Sequence, residues 1–228
     1  MRNVYYVILI ITTLLLGAGC HKNCDCDCKQ PQAPEQPEIP IVKETYAIGD
    51  HYKKDEVEGI VYKVTEDGKH GMIFSMDEGK NMFWSYDLNL TGSADPQNGK
   101  NNFDLIKTMH NWGRMFPAFR WCEDHNIDVQ RSWYLPSAEE WREIATVFSG
   151  GEIYDSEAQY AFNQKIIAAG AVPLRNNLED GKYAAYWTSC ERNPLEAIAV
   201  RPLEGGGDKA FALQKKDHYA YVRAVRPF

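Results

Sequence analysis

The stretch WYLPSAEEW, residues 133–141, is the clearest local signature in the sequence and predicts the start of a helix. Ser137 and Glu140 are three residues apart and match a capping box, in which each side chain accepts a hydrogen bond from the other residue's backbone amide. The apolar residues that follow recur at helical spacing and predict one buried stripe: Trp141, Ile144, Ala145 and Phe148. Because the first-turn amides need both polar side chains, we interpret Ser137 and Glu140 as structural residues, not as a nucleophile and its base.

Further helices are expected on both sides of this one. Asn101 or Asn102 is predicted to cap a helix on the N-terminal side. Pro117 is predicted to open the next helix, because proline is favoured at the first helical position. On the C-terminal side, the pattern predicts a helix that begins at Asp155 or Ser156 and ends at a glycine, residue 170.

Strand patterns lie before and after the helices. Two β-rich runs, residues 58–64 and 72–76, surround an Asp-Gly turn and predict a hairpin with the exposed His70 in its turn. Four candidate strands follow residue 182, and they are residues 183–189, 197–201, 209–213 and 219–226. The side chains of the last one alternate between two faces. Gly205–Gly207 is expected to be a flexible turn between the second and third of these. A hairpin, then helices, then an antiparallel meander predicts one α+β domain over residues 45–228.

The overall charge argues against nucleic acid as a partner. The chain carries a formal net charge of −7, and its basic pairs, Lys53-Lys54 and Lys215-Lys216, are interpreted as solvated surface, not as part of a patch. An acidic protein without a basic cluster is poorly suited to a phosphate backbone. The six tryptophans are expected to lie mostly in the core.

The first nineteen residues have the pattern of a secretory signal peptide. Arg2 precedes an almost unbroken apolar run, Val4 to Leu16, and small residues follow it. The run is shorter than the roughly 20 apolar residues that a membrane-spanning helix needs. Residues 1–19 are therefore predicted to be removed, which changes the net charge to −8 because Arg2 is lost.

Residues 20–44 are predicted to be a lipid-anchored tether. The sequence Leu-Gly-Ala-Gly-Cys ending at Cys20 resembles a bacterial lipobox, which implies lipidation of Cys20 and the membrane as a partner. Cys24, Cys26 and Cys28 alternate with aspartate and leave three alternatives open: an acidic flexible tether, a Cys24–Cys28 disulfide, or a metal site. Prolines recur about every third residue over 31–40 and predict an extended stalk. The expected location is the bacterial cell envelope, on the outer membrane.

Several stretches of the domain together resemble a known family. They are Gly49-Asp50, Gly59–Tyr62, Gly68–Gly71, Cys122, Trp133–Pro136 with Glu140, Tyr186–Ser189 with Glu191, and Val222–Arg226. This set is similar to the domain-of-unknown-function family 1566 and to the related Fibrobacter-type major paralogous domain. The resemblance implies the C-type-lectin-like fold that formylglycine-generating enzymes and variable receptor-binding proteins share.

The same resemblance implies no cofactor. Formylglycine-generating enzymes bind copper through a cysteine pair near the C-terminal end of the domain, and no equivalent pair is present. The Glu-Pro-Asn and Trp-Asn-Asp patterns of calcium-dependent lectins are also absent from the sequence. No metal-ligand spacing, nucleophile elbow or phosphate loop is recognisable, so neither metal ligands nor catalytic residues are predicted.

The ligand face of the receptor-binding relatives is built by C-terminal strands and loops. Mapped onto this sequence, the implied ligand-binding residues are Glu191, Arg192, Asn193, Glu204, Asp208, Lys209, Tyr219 and Tyr221. The leading hypothesis is therefore a non-catalytic surface module that binds a glycan or a protein. The alternatives are a structural or assembly subunit of a surface appendage or envelope complex and, in third place, a hydrolase.

Cys122 and Cys190 are the cysteines of the domain itself. In an oxidising compartment two such cysteines often pair. The alternative is two separate buried thiols that act as small hydrophobes. The sequence leaves both open, because it gives no distance between the two Cα atoms.

Overall fold

The structure is a computed structural model that describes residues 45–127, 132–175, 178–179 and 182–228. The predicted signal peptide, the tether and the cysteines at 20, 24, 26 and 28 lie outside the described residues. The strands in these ranges are β1 (His51–Lys54), β2 (Val57–Val64), β3 (Gly71–Ser75), β4 (Gly79–Met82), β5 (Leu178–Glu179), β6 (Lys182–Tyr183), β7 (Tyr186–Glu191), β8 (Glu196–Val200), β9 (Phe211–Lys215), β10 (Ala220–Val222) and β11 (Val225–Pro227). The α-helices are α1 (Gly99–Lys107), α2 (Trp112–Met115), α3 (Pro117–Glu123), α4 (Ala138–Ser149) and α5 (Ser156–Ala168).

Two sheets hold most of these strands. The first has the order β1-β2-β3-β11, and its β2–β3 pair is the hairpin that the sequence predicts. The second has the order β4-β10-β7-β8-β9. The helices lie between the two groups of strands in the sequence, so the predicted α+β fold class is confirmed.

The predicted C-terminal meander is correct for three strands and wrong for the last run. Strands β7, β8 and β9 pair antiparallel in chain order. The run expected at 219–226 divides into β10, which lies parallel to β7, and β11, which joins β3 of the other sheet. Arg223 lies at the break, and its buried guanidinium donates hydrogen bonds to the carbonyls of Ser75 and Asp77. These bonds hold the chain where it crosses from one sheet to the other.

Helix boundaries follow the local capping chemistry. Ser137 accepts a hydrogen bond from the Glu140 amide, and the Glu140 carboxylate accepts one from the Ser137 amide, so the predicted capping box of α4 is confirmed. Pro117 opens α3 and Asp155 caps α5, also as predicted. The predicted cap of α1 is wrong: Asn98 accepts the hydrogen bond from the Asn101 amide, and the helix begins at residue 99.

The core is rich in tryptophan, as the composition suggests. Trp84, Trp141 and Trp187 are fully buried, and each indole N–H donates to a backbone carbonyl. The acceptors are the carbonyls of Thr188, Trp187 and Met82, at 2.8, 3.0 and 2.8 Å respectively. These bonds satisfy the buried donors and connect the loop after β4 and helix α4 to strand β7.

No helix in the described ranges is both long enough and apolar enough to cross a lipid bilayer.

Candidate functional site

The structure separates the eight predicted ligand-binding residues into three places. Three of them lie together in a surface groove: Glu204, Asp208 and Lys209. Four lie in or next to the β7–β8 turn and the segment before β10: Glu191, Arg192, Asn193 and Tyr219. Tyr221 is on β10, where its ring lies 5.6 Å from that of Tyr186 and 4.6 Å from the Arg175 guanidinium. The groove therefore contains three of the eight residues, and the ligand face itself stays a prediction.

Glu191 has a structural role. Its side chain is buried, and its carboxylate accepts hydrogen bonds from the amides of Thr91 and Gly92 at 2.8–2.9 Å. It also forms an ion pair with Lys216, whose side chain is fully buried and donates to the Asn89 carbonyl. The interpretation of Lys216 as solvated surface is wrong. A carboxylate with these three partners is not free to bind a ligand.

Asn193 also supports the backbone. Its side-chain oxygen accepts hydrogen bonds from the amides of Leu195 and Glu196, both at 2.9 Å, and its amide group donates to the Glu196 carboxylate. This is the side-chain turn that asparagine makes readily. Arg192, beside it, is exposed.

The groove has a volume of about 820 Å³. This lies within the range of about 300–1,000 Å³ typical of small-molecule sites. One wall is the α4–α5 loop, Glu152–Tyr154. The other is the segment between β8 and β9, where two 3₁₀ turns, Pro202–Glu204 and Asp208–Ala210, flank three glycines.

Backbone contacts fix the two walls to each other. The amide of Gly206 donates to the Gly151 carbonyl at 3.2 Å, and the amide of Gly207 donates to the Glu152 carbonyl at 2.9 Å. A Cβ atom on Gly206 would lie 2.0 Å from the Thr146 hydroxyl oxygen. The expectation that Gly205–Gly207 is a flexible turn is therefore wrong, because these glycines are needed for close packing.

Charged groups around the groove neutralise one another. Arg142 pairs with Asp208 at 3.1 Å, and Arg201 pairs with Glu204 at 3.0 Å. Lys209 and Glu152 supply one further charge of each sign. The three carboxylates of the groove thus have three cations beside them, of which Arg142 is shared with Glu139 at 2.9 Å, and the groove offers polar groups with little net charge.

The α4–α5 loop supplies the apolar wall that the sequence analysis did not identify. Ile153 and Tyr154 are 82% and 52% exposed. Large apolar side chains in a loop between a Gly-Gly pair and a helix cap have no core to fill. Their position in such a loop, and not a sequence motif, is the feature by which Ile153 and Tyr154 could have been predicted as part of a binding surface.

Glu140 is the carboxyl group whose surroundings resemble a catalytic acid. Burial raises its pKa, although hydrogen bonds from the Tyr134 hydroxyl and from backbone amides oppose the shift. The hydroxyl donates to Oε1 at 2.6 Å, and the amides of Ser137 and Gly99 donate to Oε2 at 2.7 and 3.2 Å. Both oxygens are thus engaged in holding the starts of α1 and α4, which agrees with the structural interpretation.

The two domain cysteines are free thiols in the structure, and both are buried. Burial raises the pKa of each, so neither has the thiolate character of a reactive cysteine. The Cys190 sulfur accepts a hydrogen bond from the Ala138 amide at 3.4 Å. Within the described ranges, no group of three or more His, Cys, Asp or Glu side chains is arranged to hold a metal ion.

Comparisons with known proteins identify no family. No family model matches the chain, and no curated protein matches it. Among solved structures, a fimbrial protein from Bacteroides ovatus ATCC 8483 aligns with a TM-score of 0.46 and 16% identity, over 71% of this chain and 36% of that one. The aligned part is thus about a third of the fimbrial protein's length. A likeness of this extent carries no argument about fold or function.

Proposed function

We propose that the protein is a non-catalytic binding module and that the groove between the α4–α5 loop and the β8–β9 segment binds an uncharged glycan. The observation that carries the proposal is the juxtaposition of exposed Ile153 and Tyr154 with carboxylates whose charge is already balanced. A sugar has one apolar face of C–H groups and a rim of hydroxyls. The ring of Tyr154 can pack against the apolar face of the sugar, and the carboxylates of Asp208 and Glu204 can accept hydrogen bonds from its hydroxyls.

Preorganisation supports this proposal. The two walls are hydrogen-bonded to each other, and Arg142 both donates to the Gly206 carbonyl and lies 4.5 Å from the Phe211 ring centroid. Rigid walls reduce the entropy lost on binding. Charge balance argues against a strongly charged ligand, because an ionic partner would find no excess of the opposite charge.

A glycan array with the purified protein tests the proposal. We expect binding to neutral oligosaccharides and a loss of about three- to tenfold in affinity for Tyr154→Ala, since an aromatic contact contributes about 0.5–1.5 kcal/mol. Tyr160→Ala is the matched control, because Tyr160 is also exposed but lies on α5 and does not line the groove. Equal losses in the two variants, or no neutral glycan bound at all, would contradict the proposal.

We also propose that the protein is attached to the bacterial envelope through a lipid on Cys20. The support is the signal-peptide pattern and the lipobox resemblance of residues 1–20. The expected result is partitioning of the protein into a detergent phase, with Cys20→Ala in the aqueous phase. The lectin-like resemblance, the assembly-subunit alternative and the hydrolase alternative stay predictions of the sequence.

A further inference from the structure

A second surface, away from the residues of the groove, exposes aromatic rings. The segment after β4 carries Phe83 and Tyr86, and Tyr219 lies just before β10. The Phe83 ring stacks on Tyr219 with centroids 4.6 Å apart and an interplanar angle of 16°, and it meets Tyr86 edge-on at 5.1 Å. Tyr86 and Tyr219 are 56% and 63% exposed. The two tyrosines are thus held in place by a shared neighbour and still present open faces to solvent.

A concavity of about 490 Å³ lies beside Tyr86. Its lining is Tyr86, Asn111, Arg114 and Met115. The Tyr86 amide donates to the Met115 carbonyl at 2.8 Å, and the Ser85 hydroxyl donates to the same oxygen at 3.2 Å. These bonds fix the aromatic wall against the turn of helix that carries Arg114.

Arg114 is exposed, and no carboxylate in the described ranges lies within ion-pair distance of it. This is notable in a chain of net charge −7, where Arg120, for example, pairs with Asp124 at 2.6 Å. The acid nearest in sequence to Tyr86 is Asp87, and its Oδ1 is engaged by the Asn89 amide and side chain. The pocket therefore combines an aromatic face, an amide and a cation that no carboxylate of the described residues neutralises.

We propose that this pocket binds a carboxylate-bearing sugar residue of the uronic acid type. The sugar ring lies against Tyr86, the Asn111 amide bonds a ring hydroxyl, and the Arg114 fork takes the carboxylate in the bidentate geometry that guanidinium favours. The charge distinguishes this site from the groove, which is balanced. The inference does not depend on the proposed function, since no residue is shared by the two sites.

Calorimetric titration of the full chain with α-1,4-oligogalacturonate tests the proposal, with the methyl-esterified oligomer as the uncharged ligand. We expect the acid to bind at least tenfold more tightly than the ester, and Arg114→Gln to remove that difference, because a hydrogen bond to a charged group contributes about 1.5–3 kcal/mol. Lys54→Gln is the control, since it removes an exposed charge, also without a described ion pair, at β1. It should bind like the unaltered protein.

Three results would overturn the proposal. Equal affinity for the oligogalacturonate and its methyl ester would show that Arg114 does not bind the carboxylate. Equal losses in Arg114→Gln and Lys54→Gln would show that only net charge matters. Binding of polyglutamate as tightly as oligogalacturonate, with no effect of Tyr86→Ala, would show that the pocket recognises a polyanion and not a sugar. If neutral glycans fail to bind the groove, the proposed function is contradicted, but these three tests of the Arg114 pocket still apply.

Discussion

Lys216→Met is predicted to be among the most destabilising single substitutions in the domain. The ammonium group is fully buried, and it is paired with the Glu191 carboxylate, bonded to the Asn89 carbonyl and 4.9 Å from the ring centroid of Trp84. Methionine has nearly the same length and fills the same space without the charge. The substitution therefore leaves packing largely intact and leaves Glu191 as an unpaired buried carboxylate.

The magnitude follows from that unpaired charge. Removing one partner of a buried ion pair costs about 3–5 kcal/mol, whereas the net contribution of the intact pair is much smaller. For a domain of this size each kcal/mol lowers the melting temperature by about 2–4 °C. We therefore expect a fall of roughly 6–20 °C, with an unchanged denaturant m-value if both states keep their compactness.

Urea unfolding followed by tryptophan fluorescence measures the effect. Lys215→Met is the matched control, because the neighbouring lysine is exposed and its loss should change the free energy of unfolding by no more than about 0.5 kcal/mol. The double variant Glu191→Gln/Lys216→Met should be more stable than Lys216→Met alone, since the orphaned charge is gone. If Lys216→Met and Lys215→Met unfold at the same urea concentration, the reasoning about the buried pair is refuted.

Three further predictions concern other elements. Ser137→Ala should lower the free energy of unfolding by about 1 kcal/mol through loss of the α4 cap and leave glycan binding unchanged; a thermal melt and the array check both, and lost binding with unchanged melting would contradict it. Burial lowers the pKa of His125, but its hydrogen bond to Asp77 at 2.8 Å and that residue's charge outweigh this and raise the pKa above its usual value, while the bond lowers the pKa of Asp77. The stabilisation that this pair gives should therefore be complete near pH 5–6. It should decline as the pH rises through the raised pKa of His125 and as the pH falls through the lowered pKa of Asp77. Denaturant titrations should show no such stabilisation in Asp77→Asn at any pH. Alkylation of unfolded, unreduced protein should modify both Cys122 and Cys190, and a linked peptide pair in the mass spectrum would show instead that they are bonded.

Local chemistry explains which parts of the fold could be predicted from the sequence. The capping box at Ser137, the proline at 117 and the Asp-Gly turn depend on residues within a few positions of one another, and all three are confirmed. The cap of α1 was misplaced by a few residues. Four asparagines or lysines precede Phe103, and only the backbone path shows that Asn98 makes the capping bond.

Long-range contacts explain what could not be predicted. The sequence predicts a solvent-exposed Lys216 because its partner, Glu191, is 25 residues away. Sequence periodicity carries no information about that pairing. The groove likewise depends on Glu152–Tyr154 meeting a segment some 50 residues later, through the close approach of Gly206 to Thr146. Five of the eight predicted ligand-binding residues lie elsewhere, because the strands of one meander direct their loops to different places.

The pairing of β3 with β11 has a consequence for how the chain matures. Phe74 and Val225 are register partners, and the ring of Phe228 lies 5.2 and 4.6 Å from those of Tyr46 and Tyr52. Contacts between segments about 150 residues apart make folding slow and leave strand edges open in the meantime. On the ribosome, β3 has no partner on one side until residue 225 has been synthesised. The first sheet is therefore completed only when the last strand of the chain has been synthesised, although β1, β2 and β3 can already pair with one another.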